Sequence, residues 1–176
     1  MKTRGGRTPY VVDTNVPLMA NRKNEEPLSC ANACVQALLR IKNSGILLID
    51  DGDRILAEYR RNCSRCGQPG AGDSFVKWAH DHRWKQDLVQ AVAITPYQDD
   101  SEDFAEFPRR EDLSEFDRSD RKFVAVVCAH PEKPPIMQAT DTKWWGWKEA
   151  LEACGITVEF LCPREIEQAY ERKFRR

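Results

Sequence analysis

The sequence has few histidines, no long apolar run and almost no net charge. Only three histidines occur in 176 residues, and none stands beside a candidate nucleophile, which excludes a hydrolase of the Ser-His-Asp kind. No apolar stretch approaches the roughly 18 residues that a membrane-spanning helix requires, so we expect no membrane partner. A formal net charge of −1 gives no overall attraction for a polyanion, so any nucleic-acid site has to be a local patch.

The beginning of the chain also lacks the apolar segment of a secretory signal. The first residues are basic but no h-region follows them, so export is not indicated and we expect a cytoplasmic protein. Seven cysteines form an odd set, and most lie in apolar or helical segments, where a free thiol packs as a small hydrophobe. We therefore expect reduced cysteines and no intramolecular disulfide.

The composition fits one domain with its own core. Hydrophobic residues make up 41% of the chain and charged residues 31%, as in ordinary globular proteins. We predict a basic N-terminal arm at 1–8, a single domain at 9–170 and a basic tail at 171–176.

Predicted strands and helices alternate along this domain. The aliphatic run 46–49 is bounded by turn residues, as in a strand buried on both faces. Segment 88–97 fits either a helix end or a strand, and the acidic stretch 99–103 is expected to be a connector. The alternation predicts an α/β fold of three layers, with helices on both faces of a central parallel sheet. Further elements are a first strand ending at Val12, helices at 28–41, 55–60, 75–79, 123–129 and 143–153, strands at 135–141 and 156–160, and a helix after Pro163.

Carboxylates follow two of the predicted strands. Asp13 closes the first strand, and Asp141 closes a later one after Thr140. Ligands of open α/β sheets bind beyond the carboxyl ends of the strands, where the strand order reverses. Glu58 and Asp120 lie on predicted helices that can lean over the same crevice. Four carboxylates form a hard oxygen site, which selects Mg²⁺ or Mn²⁺.

Each acid also has a simpler interpretation. Asp13 or Thr14 can cap the following helix, and Asp117 is either a reserve ligand or a helix cap. Crowded acids before the helix at 55–60 are typical of capping and turns rather than of metal binding. They are Asp50, Asp51 and Asp53.

The order of these acids resembles that of PIN-domain nucleases. The segments that carry the likeness are "VVDTN" at 11–15, Glu58 in its helix, "DRKFVAV" at 120–126 and "ATD" at 139–141. The resemblance spans Tyr10 to about Cys162 and implies a PIN-like fold that hydrolyses RNA with one or two Mg²⁺ or Mn²⁺ ions. It implies Asp13, Glu58, Asp120 and Asp141 as catalytic residues and metal ligands, supported by Thr14, Asn15, Asp117 and Thr140. One departure is that Lys143 and Trp144 stand where the family often has another acid.

Basic and aromatic residues flank the predicted crevice. We expect Arg118, Arg121, Lys122 and Lys143 to contact nucleic acid. Neighbouring tryptophans either stack on bases or pack a helix onto the sheet, and the second interpretation is favoured. They are Trp144, Trp145 and Trp147.

A second metal site is conceivable at two cysteines and two histidines. Cys63 and Cys66, followed by His80 and His82, offer the ligands of a zinc site. Two histidines at that offset face different sides of a helix, which disfavours this alternative.

The sequence therefore favours a metal-dependent endoribonuclease. A small chain of this kind suits the toxin of a toxin-antitoxin pair or an antiviral defence effector, and partners would be RNA, an antitoxin or other regulatory protein, and a second copy of the chain. A DNA-cleaving nuclease and a non-catalytic module that binds nucleic acid or protein stay open as alternatives.

Overall fold

The computed structural model describes residues 6–22, 27–98 and 100–174, and the side chains of residues 100 and 101 are not described. Most of the predicted basic arm and the last two residues of the predicted tail lie outside this part of the chain, as does Asp99 of the acidic stretch.

Strands and helices alternate through most of the chain, as the apolar runs predict. The strands are β1 (Thr8–Val12), β2 (Gly45–Asp50), β3 (Val89–Val92), β4 (Pro96–Tyr97), β5 (Asp100–Phe104), β6 (Ile136–Gln138) and β7 (Val158–Phe160). The helices are α1 (Asn15–Ala20), α2 (Leu28–Ser44), α3 (Arg54–Asn62), α4 (Ala71–Asp81), α5 (Arg121–Ala129), α6 (Thr142–Glu152) and α7 (Pro163–Phe174).

Five strands form a parallel sheet in the order β3-β2-β1-β6-β7. The chain builds outward from β1 through β2 to β3, then returns to add β6 on the other side of β1. The strand order thus reverses between β1 and β6, where Val12 lies opposite Met137. In a sheet of this kind the crevice beyond these two strand ends is the usual ligand site.

Helix α5 packs against three strands of the sheet and is buried almost completely. It contacts β1, β2 and β6, and every residue from Arg121 to Val127 is buried. A helix that is apolar on all sides has to lie in the interior. Helices flank the sheet in three layers, so the predicted α/β architecture is confirmed.

Two segments resolve differently from the expectations. The undecided segment 88–97 contains the edge strand β3, which is parallel to β2. The acidic stretch is not a simple connector, because β5 pairs antiparallel with β4 in a separate two-stranded sheet.

The prediction that all cysteines are reduced is wrong for one pair. Cys30 of α2 and Cys162, which precedes α7, form a disulfide. The two residues are 132 positions apart in the sequence, so the spacing of the cysteines gave no sign of their meeting.

The tryptophans of α6 pack against aromatic side chains of the protein. Trp144 is fully buried and lies edge-to-face on Phe116, with ring centroids 5.3 Å apart. Trp145 lies against Phe160 and Trp147 against Phe116, both partly exposed. In the part of the chain that the structure describes, no helix is both long and apolar enough to cross a bilayer.

Candidate functional site

The backbone brings the ends of β1 and β6 together. Asp13 is the first residue after β1, and its N–H donates to the carbonyl of Met137 at 3.0 Å. This bond extends the pairing of the two strands by one residue, so Asp13 stands beside the end of β6. Asp141 follows β6 by three residues and is the N-cap of α6, where its Oδ1 accepts from the N–H of Lys143 at 3.0 Å.

Asn15 joins these two strand ends, through its backbone N–H on one side and its side-chain oxygen on the other. Its N–H donates to Asp13 Oδ2 at 2.8 Å, and its Oδ1 accepts from the N–H of Thr140 at 2.7 Å. The hydroxyl of Thr140 donates to the same oxygen at 3.3 Å. The first bond shows that the capping interpretation of Asp13 holds in part, since Asn15 is the first residue of α1. Asn15 and Thr140 thus hold the site rigid at the switch point.

Glu58 already has partners on both carboxylate oxygens. The hydroxyl of Thr14 donates to Oε1 at 2.5 Å, and the ammonium of Lys122 lies 2.5 Å from Oε2. Lys122 is only 7% exposed, and it also donates to the carbonyl of Ser119. This buried ion pair links α3 to α5 across the crevice.

Asp13 is buried in a way that disfavours its charge. Burial raises the pKa of Asp13 to about 7, and the charges of Glu58 and Asp141 add to the rise. The N–H of Asn15 and the side chain of Gln138 partly oppose it. Burial likewise raises the pKa of Asp120 to about 8, and the charge of Asp13 contributes next. The charge of Asp141 raises the pKa of Asp120 as well, so these carboxylates are near enough to repel one another.

Gln138 contributes a polar group that sequence reasoning missed. It is fully buried at the end of β6, and its Oε1 accepts from the N–H of Ala139 at 2.8 Å. Its Nε2 makes no hydrogen bond within the part of the chain that the structure describes, although the amide lies close enough to lower the pKa of Asp13. A buried donor without a partner costs about 1 to 3 kcal/mol, so its place beside a carboxylate indicates a polar ligand site. The available signal was one polar residue inside an otherwise buried strand.

The acids divide into paired and unpaired carboxylates. Glu58 is paired with Lys122, and Asp117 with the ammonium of Lys143 at 2.5 Å. Asp117 also accepts from the N–H and hydroxyl of Ser119, so it caps the turn before α5. No ion pair joins the remaining three acids to any described cation. They are Asp13, Asp120 and Asp141.

The unpaired acids suit a hard divalent cation in their chemistry but do not yet enclose one. No three carboxylates among the described residues bring their oxygens within 4.8 Å of one another. In the part of the chain that the structure describes, these carboxylates therefore do not form a closed ligand set. Carboxylate oxygens select Mg²⁺ or Mn²⁺, and a cation would remove the repulsion that raises the pKa values of Asp13 and Asp120.

The other candidate metal ligands either have different partners or do not come together. Asp50 accepts from the N–H groups of Gly52, Arg54 and Ile55, which is the predicted role at a helix start. Cys63 is buried and Cys66 is exposed, and these two do not form a close ligand group with His80 and His82 in the described chain. The group that does converge is Cys30, Cys34 and Cys162, where the disulfide occupies two of the three sulfurs.

Two of the four cations predicted to contact nucleic acid lie inside the protein. Arg121 pairs with Asp103 at 3.0 Å and donates to the carbonyl of Ser114 at 2.9 Å. Lys122 is held by Glu58. Arg121 differs from the prediction because α5 is buried and this cation has internal partners, whereas Lys122 is buried against Glu58 but still lines a cavity beside it. Arg118 is exposed, and Lys143 is exposed but paired with Asp117.

A cavity of about 350 Å³ opens beside Glu58. Arg54, Arg61 and Arg118 stand on its wall, with Phe104 also lining it. Arg54 gave no signal in the sequence beyond ordinary surface charge, and Arg61 belongs to a mid-chain basic cluster, Arg60, Arg61 and Arg65, for which a solvated surface is the favoured interpretation. The cavity places these guanidinium groups next to Glu58, and Lys122, Asp53 and Glu102 line it as well, whereas Asp13, Asp120 and Asp141 are not among its described lining residues.

Comparisons with known proteins give no further identification. No protein-family model matches the chain, and neither the curated proteins nor the solved structures yield a match.

Proposed function

We propose that the chain is a metal-dependent endoribonuclease of the PIN type. One observation carries the proposal: Asp13, Asp120 and Asp141 stand together without ion-pair partners in the described chain, at the switch point of a parallel sheet. Repelling carboxylates of this kind call for a divalent cation, and a divalent cation suits phosphodiester hydrolysis.

The residues have distinct tasks in this proposal. Asp13, Asp120 and Asp141 hold the ion, and Asn15 fixes the orientation of Asp13 through the 2.8 Å bond from its N–H. When bound, the ion lowers the pKa of a water molecule and neutralises charge on the phosphoryl oxygens. The Gln138 amide faces Asp13 and supports its ionised form. By the family resemblance, cleavage leaves a 5′-phosphate and a 3′-hydroxyl.

The cavity beside Glu58 supports a nucleic-acid substrate. Guanidinium groups bind phosphate oxygens through paired N–H donors, and Arg61 and Arg118 are exposed there. Its volume of about 350 Å³ is in the range of small-ligand pockets, which suits one nucleotide next to the bond to be cut. We propose RNA as the substrate, with the cytoplasm as the compartment. As a toxin or defence effector, the enzyme would need an antitoxin or another regulatory protein to control it.

The proposal is tested by cleavage of a labelled RNA pool with Mn²⁺ or Mg²⁺. Wild type should cut, whereas Asp13→Asn and wild type in EDTA should lose about 10² to 10³ in rate, as expected when an essential electrostatic stabiliser is removed. Asp87→Asn, at an exposed acid between α4 and β3, is the matched control and should leave the rate unchanged.

Each outcome of this experiment has a meaning. Activity that persists in both Asp13→Asn and EDTA would refute the metal mechanism. Cleavage of single-stranded DNA and not RNA would reassign the substrate, and inactivity on both polymers with retained binding would favour a binding module.

A further inference from the structure

Resting on the proposed nuclease function, we propose that the site binds one divalent ion and that the ammonium of Lys122 takes the place of a second. The family resemblance leaves one or two ions open, and Glu58 is the ligand that a second ion would require. The surroundings of Glu58 decide between these possibilities.

Both oxygens of Glu58 are engaged by the protein itself. Oε1 accepts from Thr14 at 2.5 Å and Oε2 contacts Lys122 at 2.5 Å. A metal ion at Glu58 would have to displace an ammonium that is already desolvated. The pair is largely shielded from solvent, with the Lys122 side chain 9% and the Glu58 side chain 18% exposed, so an ion that displaced the ammonium would leave Lys122 without its counter-charge, which opposes the displacement.

Several contacts hold the side chain of Lys122 in its position. Its side chain is 9% exposed, and its backbone belongs to the buried helix α5. The ammonium also donates to the carbonyl of Ser119, which fixes it from a second direction. Its Nζ lies 4.7 Å from the centroid of the Phe123 ring, within the range of a cation–π contact. Lys122 also lines the cavity beside Glu58, but its ammonium is held there by Glu58 and by the carbonyl of Ser119.

The remaining acids match the needs of a single ion. Asp13, Asp120 and Asp141 have no ion-pair partner in the described chain, whereas Glu58 and Asp117 are each neutralised by a lysine. The fully buried Gln138 amide, whose Nε2 has no described partner, points to the same place because it lies beside Asp13. The unpaired group therefore centres on Asp13 rather than on Glu58.

The test is the stoichiometry of Mn²⁺ binding, measured by isothermal titration calorimetry and by electron paramagnetic resonance of free Mn²⁺. Wild type should bind one Mn²⁺. Lys122→Met keeps the length of the stem and frees Glu58, so this variant should bind a second Mn²⁺. The double variant Glu58→Gln/Lys122→Met has no unpaired charge and should return to one Mn²⁺, with an affinity within about threefold of wild type.

The double variant keeps the test decisive if Lys122→Met does not fold, since it leaves no buried charge without a partner. Loss of more than about tenfold in Mn²⁺ affinity by the double variant would make Glu58 a ligand and overturn the inference, where tenfold corresponds to 1.4 kcal/mol. Two ions in wild type, or one ion in a folded Lys122→Met, would also overturn it while leaving the proposed nuclease intact. No Mn²⁺ binding by wild type would overturn both.

Discussion

Replacing Asp13 by Asn should stabilise the protein in metal-free buffer at pH 8. The side chain keeps its shape, and its amide oxygen can still accept the N–H of Asn15, which donates at 2.8 Å in the wild type. The substitution removes a charge from a carboxyl group that burial and its acidic neighbours disfavour. A variant designed to abolish the proposed activity is thus expected to fold more stably than wild type.

The magnitude follows from the difference in pKa between the folded and unfolded states. The pKa of Asp13 is about 7 in the folded protein against 3.8 for the unperturbed group. The folded state therefore keeps a proton that the unfolded state releases, and stability falls as the pH rises from about 4 to about 7. At 1.36 kcal/mol per pKa unit the loss reaches about 4 kcal/mol at pH 8, and less than half of it is present at pH 5. The hydrogen bond from the Asn15 N–H is weaker to an amide oxygen than to a carboxylate, which costs the variant roughly 1 kcal/mol. The net gain in its free energy of unfolding is therefore about 3 kcal/mol at pH 8.

The assay is urea unfolding in EDTA at pH 5, 6, 7 and 8, followed by circular dichroism. The free energy of unfolding of Asp13→Asn should exceed that of wild type most at pH 8 and approach it at pH 5. The free energy of unfolding of Asp87→Asn should equal that of wild type at every pH. Thermal melting should show an increase of about 6 to 12 °C at pH 8, given roughly 2 to 4 °C per kcal/mol at this chain length. A variant that is less stable than wild type at pH 8, or a gain that does not change with pH, would refute the account of Asp13 as a strained carboxylate.

Three further outcomes are expected. Cys30→Ser removes a cross-link between residues 132 positions apart and should lower the free energy of unfolding by about 2 to 4 kcal/mol in non-reducing buffer; equal stability of variant and wild type without reductant would contradict it. Arg121→Met leaves Asp103 with Arg109 alone and should cost about 2 to 4 kcal/mol in urea unfolding, while Arg110→Met at an exposed ion pair should change little. Arg61→Ala should raise the Kd of a single-stranded RNA about 3- to 10-fold by fluorescence anisotropy in EDTA and lower its salt dependence, and Lys85→Ala, away from the cavity, should not.

The parts of the fold that depend on local patterns were predictable from the sequence. The run 46–49 became β2, and the helical spacing at 28–41 became α2, because buried strands and amphipathic helices leave distinct apolar periods. The positions of Asp13 and Asp141 at strand ends were also visible, since a carboxylate after an apolar run is a local signal. Strand order was not visible, and it is the order that brings these two ends together.

The parts that depend on long-range contacts were not predictable. The disulfide joins α2 to the start of α7, and β5 is a charged strand whose pairing with β4 stabilises it despite its composition. The internal position of Lys122 could have been predicted from the sequence. The apolar residues from Phe123 to Val127 leave α5 no solvent-facing side, so cations at its start require internal partners.

Under the proposed function, protons, lysines and a divalent cation bind to the same group of carboxylates. Two carboxylates are neutralised by ion pairs with lysines: Glu58 pairs with Lys122, and Asp117 pairs with Lys143. Without a cation, Asp13 and Asp120 hold protons up to near-neutral pH, as their pKa values of about 7 and 8 indicate. A divalent ion has to displace these protons, so its affinity rises with pH over this interval. Because the lysines are attached to α5 and α6 and the protons are not, the proposed function predicts a cation at Asp13, Asp120 and Asp141 and none at Glu58.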